Sequence, residues 1–382
     1  TGNWGTAGNW EQNIAPSVTD NIIVNVGATL TLNGDRTIND VEVDGTLIVA
    51  ADAFTLTGDC DIDGAITVTS GTVDVDGVFD ATGGSVTFTG AGELIADSTV
   101  TSLGTLSTAN GTVTYNGDTA QTIVAGAYPS LKASDAAGIK TLGGTVTVAG
   151  GLIIDASVTV DMNGNTLGVT GATDIDGILT VAASTLTLDG GSDIDGTITV
   201  STGTVDANGT FDATGGTIDI NDAGDLQLAG VVTSLGDVSI DFGTVTYDGA
   251  GDQGIVADDY FSLTAGGGAG IKTLAGAVTV AGALAIDAGV TIAMGINNLT
   301  VTGATTIPGA VTITTATLDA NGTFDATGGT IDINDAGDLQ LAGVVTSLGD
   351  VSVDFGTVTY DGPGDQAIVA DDYFSLTAGG GA

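Results

Sequence analysis

Asp174-Ile175-Asp176-Gly177 returns as Asp193-Ile194-Asp195-Gly196, every position advanced by 19, with Thr166-Leu167 ahead of the first and Thr185-Leu186 ahead of the second in the same register. This short period also explains the longer ones. Residues 206–268 recur at 319–381 with three changes, Ile240/Val353, Ala250/Pro363 and Gly254/Ala367. A diverged copy spans residues 77–117, where Phe79-Asp80-Ala81-Thr82-Gly83-Gly84 matches residues 211–216 and 324–329. The numbering advances by 132 from Phe79 to Phe211 and by 113 from Phe211 to Phe324, a difference of 19. Ile307 sits 132 after Ile175 and 113 after Ile194, so the middle copy carries one 19-residue element that the last lacks. A chain that gains or loses whole units without disturbing its neighbours is quasi-one-dimensional, which predicts a solenoid.

Within each unit the hydrophobic pattern has period two. Thr145-Val146-Thr147-Val148, Thr185-Leu186-Thr187-Leu188, Thr217-Ile218-Asp219-Ile220 and Asp225-Leu226-Gln227-Leu228 alternate polar and apolar residues. In a strand this puts Val, Leu and Ile on one face and Thr, Asp and Gln on the other. Asn-Gly, Asp-Gly and Gly-Gly turn signals interrupt every six or seven residues. The expected fold is therefore an all-β parallel β-solenoid (β-helix) of about 19 residues per coil, with three short strands per coil. Coils stacked in parallel lie about 4.8 Å apart. Hairpins are the rival reading, because Asn-Gly and Asp-Gly also favour two-residue β-turns. An antiparallel meander does not account for the loss of one whole unit.

Composition agrees with a folded β protein. The 382 residues include 63 Gly, and 42% are apolar, enough Val and Ile for a core. The charge balance is extreme: 47 acids stand against Arg36, Lys132, Lys140 and Lys272, with no His and a net charge of −43. Nucleic-acid binding draws on clustered Lys and Arg, so that partner is excluded, and anionic membrane surfaces are disfavoured. Cys60 stands alone, so no internal disulfide framework exists and a buried structural thiol is expected. No stretch has the apolar length of a transmembrane helix, so direct membrane insertion is not expected, and no charged start precedes an apolar core.

Residues 1–23 lack the 19-residue register and hold both Trp4 and Trp10, which marks them as an N-terminal cap or docking segment ahead of a solenoid over 24–382. Residues 255–263 and their copy at 368–376 concentrate aromatics, as expected of a coil with larger inward residues or of a ligand platform. After Gly268 the second copy runs on into Gly270-Ile271-Lys272-Thr273-Leu274, whereas the third stops at Gly381-Ala382, so the natural protein is expected to continue beyond 382.

Two features carry a family resemblance. One is the opening Gly2-Asn3-Trp4, Asn9-Trp10 and Pro16, followed by Asp20-Asn21-Ile22-Ile23-Val24. The other is Thr244-Val245-Thr246-Tyr247-Asp248-Gly249 through Tyr260-Phe261-Ser262-Leu263 to Lys272-Thr273-Leu274-Ala275-Gly276, kept in the first copy as Tyr115-Asn116-Gly117 through Lys140-Thr141-Leu142. Together they resemble bacterial and archaeal secreted β-strand-repeat, autotransporter-passenger-like surface proteins. The resemblance covers most of the chain, is compositional, implies a secreted, surface-displayed β-solenoid, and carries no catalytic residues.

Candidate sites are few. Without His, neither neutral-pH proton transfer by imidazole nor a Ser-His or Cys-His pair is available. Carboxylate pairs could serve a glycosidase, but the turns are short and cleft-building loops absent, so an enzyme is not expected. Asp174 and Asp193 should stack one coil apart, as should Asp176 and Asp195, and Ca²⁺ would ease that repulsion. EF-hand and Gly-rich nonapeptide spacings are missing, and the same four residues serve equally as solvated turn formers. Thr-x-Thr pairs such as Thr145/Thr147 and Thr197/Thr199 match ice-binding arrays in spacing, but also suit any strand. Asn110, Asn208, Asn298 and Asn321 begin glycosylation sequons.

The functional expectation is an extracellular structural protein, a subunit of a cell-surface fibre, filament, sheath or layer that self-associates into a homopolymer. The alternatives are the stalk of a surface adhesin with a cell-surface or glycan partner, and a Ca²⁺-dependent carbohydrate-binding module.

Overall fold

The computed structural model describes residues 2–135, 138–240, 242–353 and 355–379. The chain is an all-β parallel solenoid of about 18 turns set about 19 residues apart, and about 1% of it is helical. Gly381 and Ala382, on which the expected continuation turned, lie outside the described residues. The chain divides into two compact units, Thr1–Ile198 and Thr199–Ala382.

In the first unit each coil contributes three short strands, one to each of three parallel ladders. One ladder climbs without a break through Arg36–Ile38, Ala53–Leu56, Thr72–Val75, Glu93–Ala96, Thr112–Tyr115, Leu131–Ala133, Leu152–Ile154, Thr173–Ile175 and Ser192–Ile194. The other two positions change ladders partway. One runs from Ile22–Val24 to Val100–Ser102 and restarts at Gln121–Ile123. The other runs from Gly2–Asn3 to Thr105–Leu106 and restarts at Gly126–Tyr128.

The second unit repeats this plan. Its continuous ladder passes from Thr204–Ala207 through Thr244–Tyr247 and Ser262–Ala265 to Val345–Ser347. Ladders ending at Asp237–Ile240 and Val232–Ser234 give way to new ones that begin at Gln253–Ile255 and Asp259–Tyr260. Each of these restarts falls in or beside the aromatic segment that the sequence singles out.

Alternation sets the core. Ile175, Ile194, Leu186, Leu188, Ile218 and Ile220 point inward and are buried, while Asp174, Asp193 and the intervening Thr residues face out. Asp174 and Asp193 are ladder partners in register, as the 19-residue period requires. Fully burying one such aliphatic side chain stabilises by about 1.5–3 kcal/mol. The glycine closing each Asp-Ile-Asp-Gly is fixed by stacking: a Cβ on Gly196 would lie 2.0 Å from the carbonyl oxygen of Gly177. Cys60 is buried and free, and burial, aided by Asp61, pushes its thiol pKa up.

Residues 2–21 close the first coil. Gly2–Asn3 pairs with Thr29–Thr31, and Trp4 follows into the interior at 1% exposure. Trp4 meets Trp10 edge-on with ring centroids 5.1 Å apart and Phe54 at 5.6 Å. Trp10 Nε1–H donates to the Trp4 carbonyl at 2.9 Å, which pins the loop over the plug. Among the described residues no helix is long and apolar enough to cross a membrane.

Candidate functional site

Where two ladders stop, backbone groups lose their partners, and buried polar groups must find others. The sequence supplies them as a fixed set: Tyr, then Gly two positions on, Gln at six, Tyr at 13 and Lys at 25. In the second unit these are Tyr247, Gly249, Gln253, Tyr260 and Lys272. In the first they are Tyr115, Gly117, Gln121, Tyr128 and Lys140.

The glutamine is the hub. Gln253 Nε2–H donates to the carbonyls of Leu228 at 2.8 Å, Gly230 at 2.9 Å and Ala229 at 3.1 Å, one coil back. Its Oε1 accepts from Gly249 N–H at 2.9 Å and from Lys272 Nζ at 2.5 Å. Lys272 also donates to the carbonyls of Gly249 at 2.7 Å and Gly251 at 3.2 Å, so three acceptors match its three N–H donors. Lys272 is fully buried, and burial lowers its ammonium pKa against the opposing pull of Asp248 and Asp252.

The first unit builds the same node. Gln121 Nε2–H donates to Ala96 and Ser98 carbonyls at 2.9 and 2.6 Å, and its Oε1 accepts from Gly117 N–H at 2.8 Å. Lys140, also fully buried, donates to Gln121 Oε1 at 2.7 Å and to the Gly117 carbonyl.

Two tyrosines finish the node. Tyr260 donates its hydroxyl proton to Val256 O at 2.7 Å, and Tyr247 accepts from Val256 N–H at 3.1 Å. With that proton committed, the 3.0 Å contact between the hydroxyls requires Tyr247 to donate to Tyr260. Tyr115 and Tyr128 repeat the arrangement around Val124, their hydroxyls 2.9 Å apart. Burial pushes the Tyr115 and Tyr247 pKa values up to about 12 and those of Tyr128 and Tyr260 higher still. Of the two roles expected for the aromatics, the structure gives Tyr260 and Leu263 the inward one.

The four aspartates singled out as Ca²⁺ candidates lie on the outer surface. Asp174, Asp176, Asp193 and Asp195 are all exposed. Partial desolvation and then the charges of Asp176, Asp193, Asp195 and Asp155 raise the pKa of Asp174. Among the described residues, the acidic group whose oxygens approach within 4.8 Å of one another is instead Asp74, Asp76 and Asp97. Here the ladder pairs Thr72 with Glu93, an offset of 21 rather than 19, which carries Asp97 over Asp76. Asn116 Nδ2–H donates to Asp97 at 2.9 Å, and burial, then Asp97, Asp76 and Glu93, raise the pKa of Asp74. The matching positions in the later copies read Asp206, Asn208, Ala229 and Asp319, Asn321, Ala342, so the trio occurs once in the three copies.

A concavity of about 560 Å³ lies beside the cap, where Trp10, Glu11, Gln12, Pro16 and Asn21 are among its lining residues. The sequon residues Asn110, Asn208, Asn298 and Asn321 are all exposed. Compared with family models, curated proteins and solved structures, the chain matches none.

Proposed function

We propose that the chain is an extracellular structural protein, a subunit of a cell-surface fibre, filament, sheath or layer whose copies associate with one another. One observation carries this reading: the same 63-residue segment is used twice almost unchanged, at 206–268 and 319–381, and its polar groups recur with it. A catalytic or ligand site depends on a constellation placed once, whereas a scaffold gains from any coil that stacks on its neighbour. The outward Asp and Thr faces and the net charge of −43 fit a surface bathed in dissolved cations. Resemblance to secreted β-strand-repeat proteins supports the same location.

Negative-stain electron microscopy of the purified chain over a concentration and salt series tests the proposal. Regular polymers support it. Single particles under every condition, together with attachment to cells or glycans, would transfer the chain to the adhesin-stalk class. A melting temperature raised by Ca²⁺ but not by Mg²⁺ would favour a Ca²⁺-dependent module.

A further inference from the structure

Of the aromatics in residues 255–263, Tyr260 turns inward but Phe261 does not, and the buried node makes no use of its ring. Phe261 instead meets Phe242 of the preceding coil, with ring centroids 5.6 Å apart and planes inclined at 55°. The later copy builds the same pair from Phe355 and Phe374, at 5.6 Å and 58°. Phe242 and Phe355 are both 54% exposed, each at a corner just ahead of the strand that carries the first tyrosine of its copy. A further coil lies over the earlier pair, and a Cβ on its Gly282 would lie 3.1 Å from the Phe261 ring. The exposure of Phe242 therefore belongs to the corner itself. The matching positions of the first copy read Asn110 and Pro129, so the pairs belong to the second unit.

The two pairs do not face the same way. Phe242 leads into Thr244–Tyr247, in the continuous ladder that reaches Val345–Ser347. Phe355 leads into Thr357–Tyr360, which pairs with Asp338–Leu341 in the ladder begun at Asp259–Tyr260. Among the described residues Thr357–Tyr360 is the seventeenth strand after Thr244–Tyr247, one short of six three-strand coils. The repeat thus moves its aromatic pair to a different corner as it climbs, roughly 27 Å further along at about 4.8 Å per coil.

Neither pair alone holds a partner firmly. A half-exposed phenylalanine offers about 100 Å² of ring, so two meeting pairs bury on the order of 400 Å², well under the roughly 1,200 Å² of specific complexes. Copies that each present two such corners gain what one contact lacks, because an inner copy is held on two sides. Tilted rings also suit one another, since aromatic edges seek aromatic faces. We propose that the Phe242–Phe261 and Phe355–Phe374 corners are the surfaces through which copies of this chain associate sideways, pair against pair. The proposal rests on the reading of the chain as a self-associating subunit. Because the corners point in different directions, one contact leaves the other free, and growth does not close at a dimer. Asp222, exposed in the turn below Phe242, and the charge of −43 on each copy oppose contact, so association strengthens as salt rises.

The test is sedimentation velocity of the 1–382 chain and three variants, in salt from about 0.05 M to about 1 M. At the highest salt the unaltered chain should form open polymers. Phe242→Ser and Phe355→Ser, each left with one intact corner, should stop at dimers, and the double variant should stay monomeric, all with unchanged β circular dichroism. Polymers that survive the double substitution overturn the proposal and leave the scaffold reading standing. An unaltered chain that is monomeric under every condition overturns both. Should a variant misfold, hydroxyl-radical footprinting of the unaltered chain decides. Oxidation of Phe242 and Phe355 should fall about threefold or more on assembly, and unchanged oxidation overturns the proposal. Protection of the monomer by a soluble glucan, without assembly, would assign the corners to a glycan and overturn it as well.

Discussion

Residues 206–268 and 319–379 are one sequence in two settings. Of the substitutions between them, Ala250/Pro363 lies in an exposed turn, and Gly254/Ala367 sits where a Cβ meets nothing within 4 Å. In the earlier segment the next coil covers Gln253–Ile255 with Gly270–Leu274 and Ser262–Ala265 with Leu284–Ile286. In the later segment the corresponding edge is bare among the described residues. The tyrosine pair still forms, at 3.3 Å between Tyr360 and Tyr373 hydroxyls against 3.0 Å between Tyr247 and Tyr260. The bonds from Gln366 to the Leu341 and Gly343 carbonyls, at 2.9 and 3.1 Å, persist as well. What changes is Ile, Leu and the ammonium: Ile368 is 46% exposed where Ile255 is fully buried, and Leu376 is 42% exposed where Leu263 is fully buried. Each coil thus completes its own lower contacts and relies on the next for its lid.

The largest effect that can break this comparison is at the hub. Gln253→Leu leaves the buried Lys272 ammonium without its closest acceptor and should destabilise by about 2–4 kcal/mol, read as a fall in denaturant midpoint. Among the described residues Gln366→Leu has no ammonium to strand, and in the 1–382 chain it should cost about 1 kcal/mol. Equal losses at the two sites would mean that the glutamine matters only for the carbonyls below it.

A smaller contrast is expected in the apolar cover. Leu263→Ala opens a cavity under a neighbouring coil and should cost about 2–4 kcal/mol, whereas the half-exposed Leu376→Ala should cost less than about 1 kcal/mol. Amide exchange offers a version without mutation. Protection of the Ile255 amide should exceed that of Ile368 by about 100-fold, because opening the covered edge requires local unfolding. Similar rates would show that the following coil adds little.

A separate test concerns alkaline pH. The buried tyrosines ionise at 10.0 when unfolded, whereas burial holds Tyr115 and Tyr247 at about 12 in the fold. The unfolded chain therefore binds fewer protons above pH 10, and stability falls as pH rises from 10 toward 12. The lysines push the other way, because burial lowers their folded pKa values, but two of them oppose four tyrosines raised in the filled nodes. Tyrosinate absorbance should appear together with loss of β circular dichroism. Tyrosinate forming at pH 10 on Tyr115, Tyr128, Tyr247 or Tyr260 in folded protein would contradict their burial.

The coil period was legible because it is written twice, in Asp174-Ile175-Asp176-Gly177 and its copy, and alternation then assigns the inward face. The node was harder to see. Lys140 and Lys272 look like surface charges in a sequence, yet each stands one coil after a glutamine, Gln121 and Gln253, which is the signal that places ammonium over carboxamide. The acidic trio escaped for the opposite reason: its coil offset is 21, so no search at the common period brings Asp97 onto Asp76. Trp4 at the cap was visible as an irregular aromatic, but its depth depends on the strand Gly2–Asn3 extending the ladder.

Burying Lys140 and Lys272 also reshapes the electrical exterior. Of the four cationic side chains, only Arg36 and Lys132 remain outside the core, and Lys132 is tied to Asp155 at 3.0 Å. Against 47 carboxylates this leaves the molecule to behave as a polyelectrolyte, with its neutralising charge held as a mobile ion atmosphere rather than in fixed groups. The distance at which two copies begin to repel is then set by dissolved salt, shrinking from about 8 Å of screening length at physiological ionic strength to about 3 Å at 1 M.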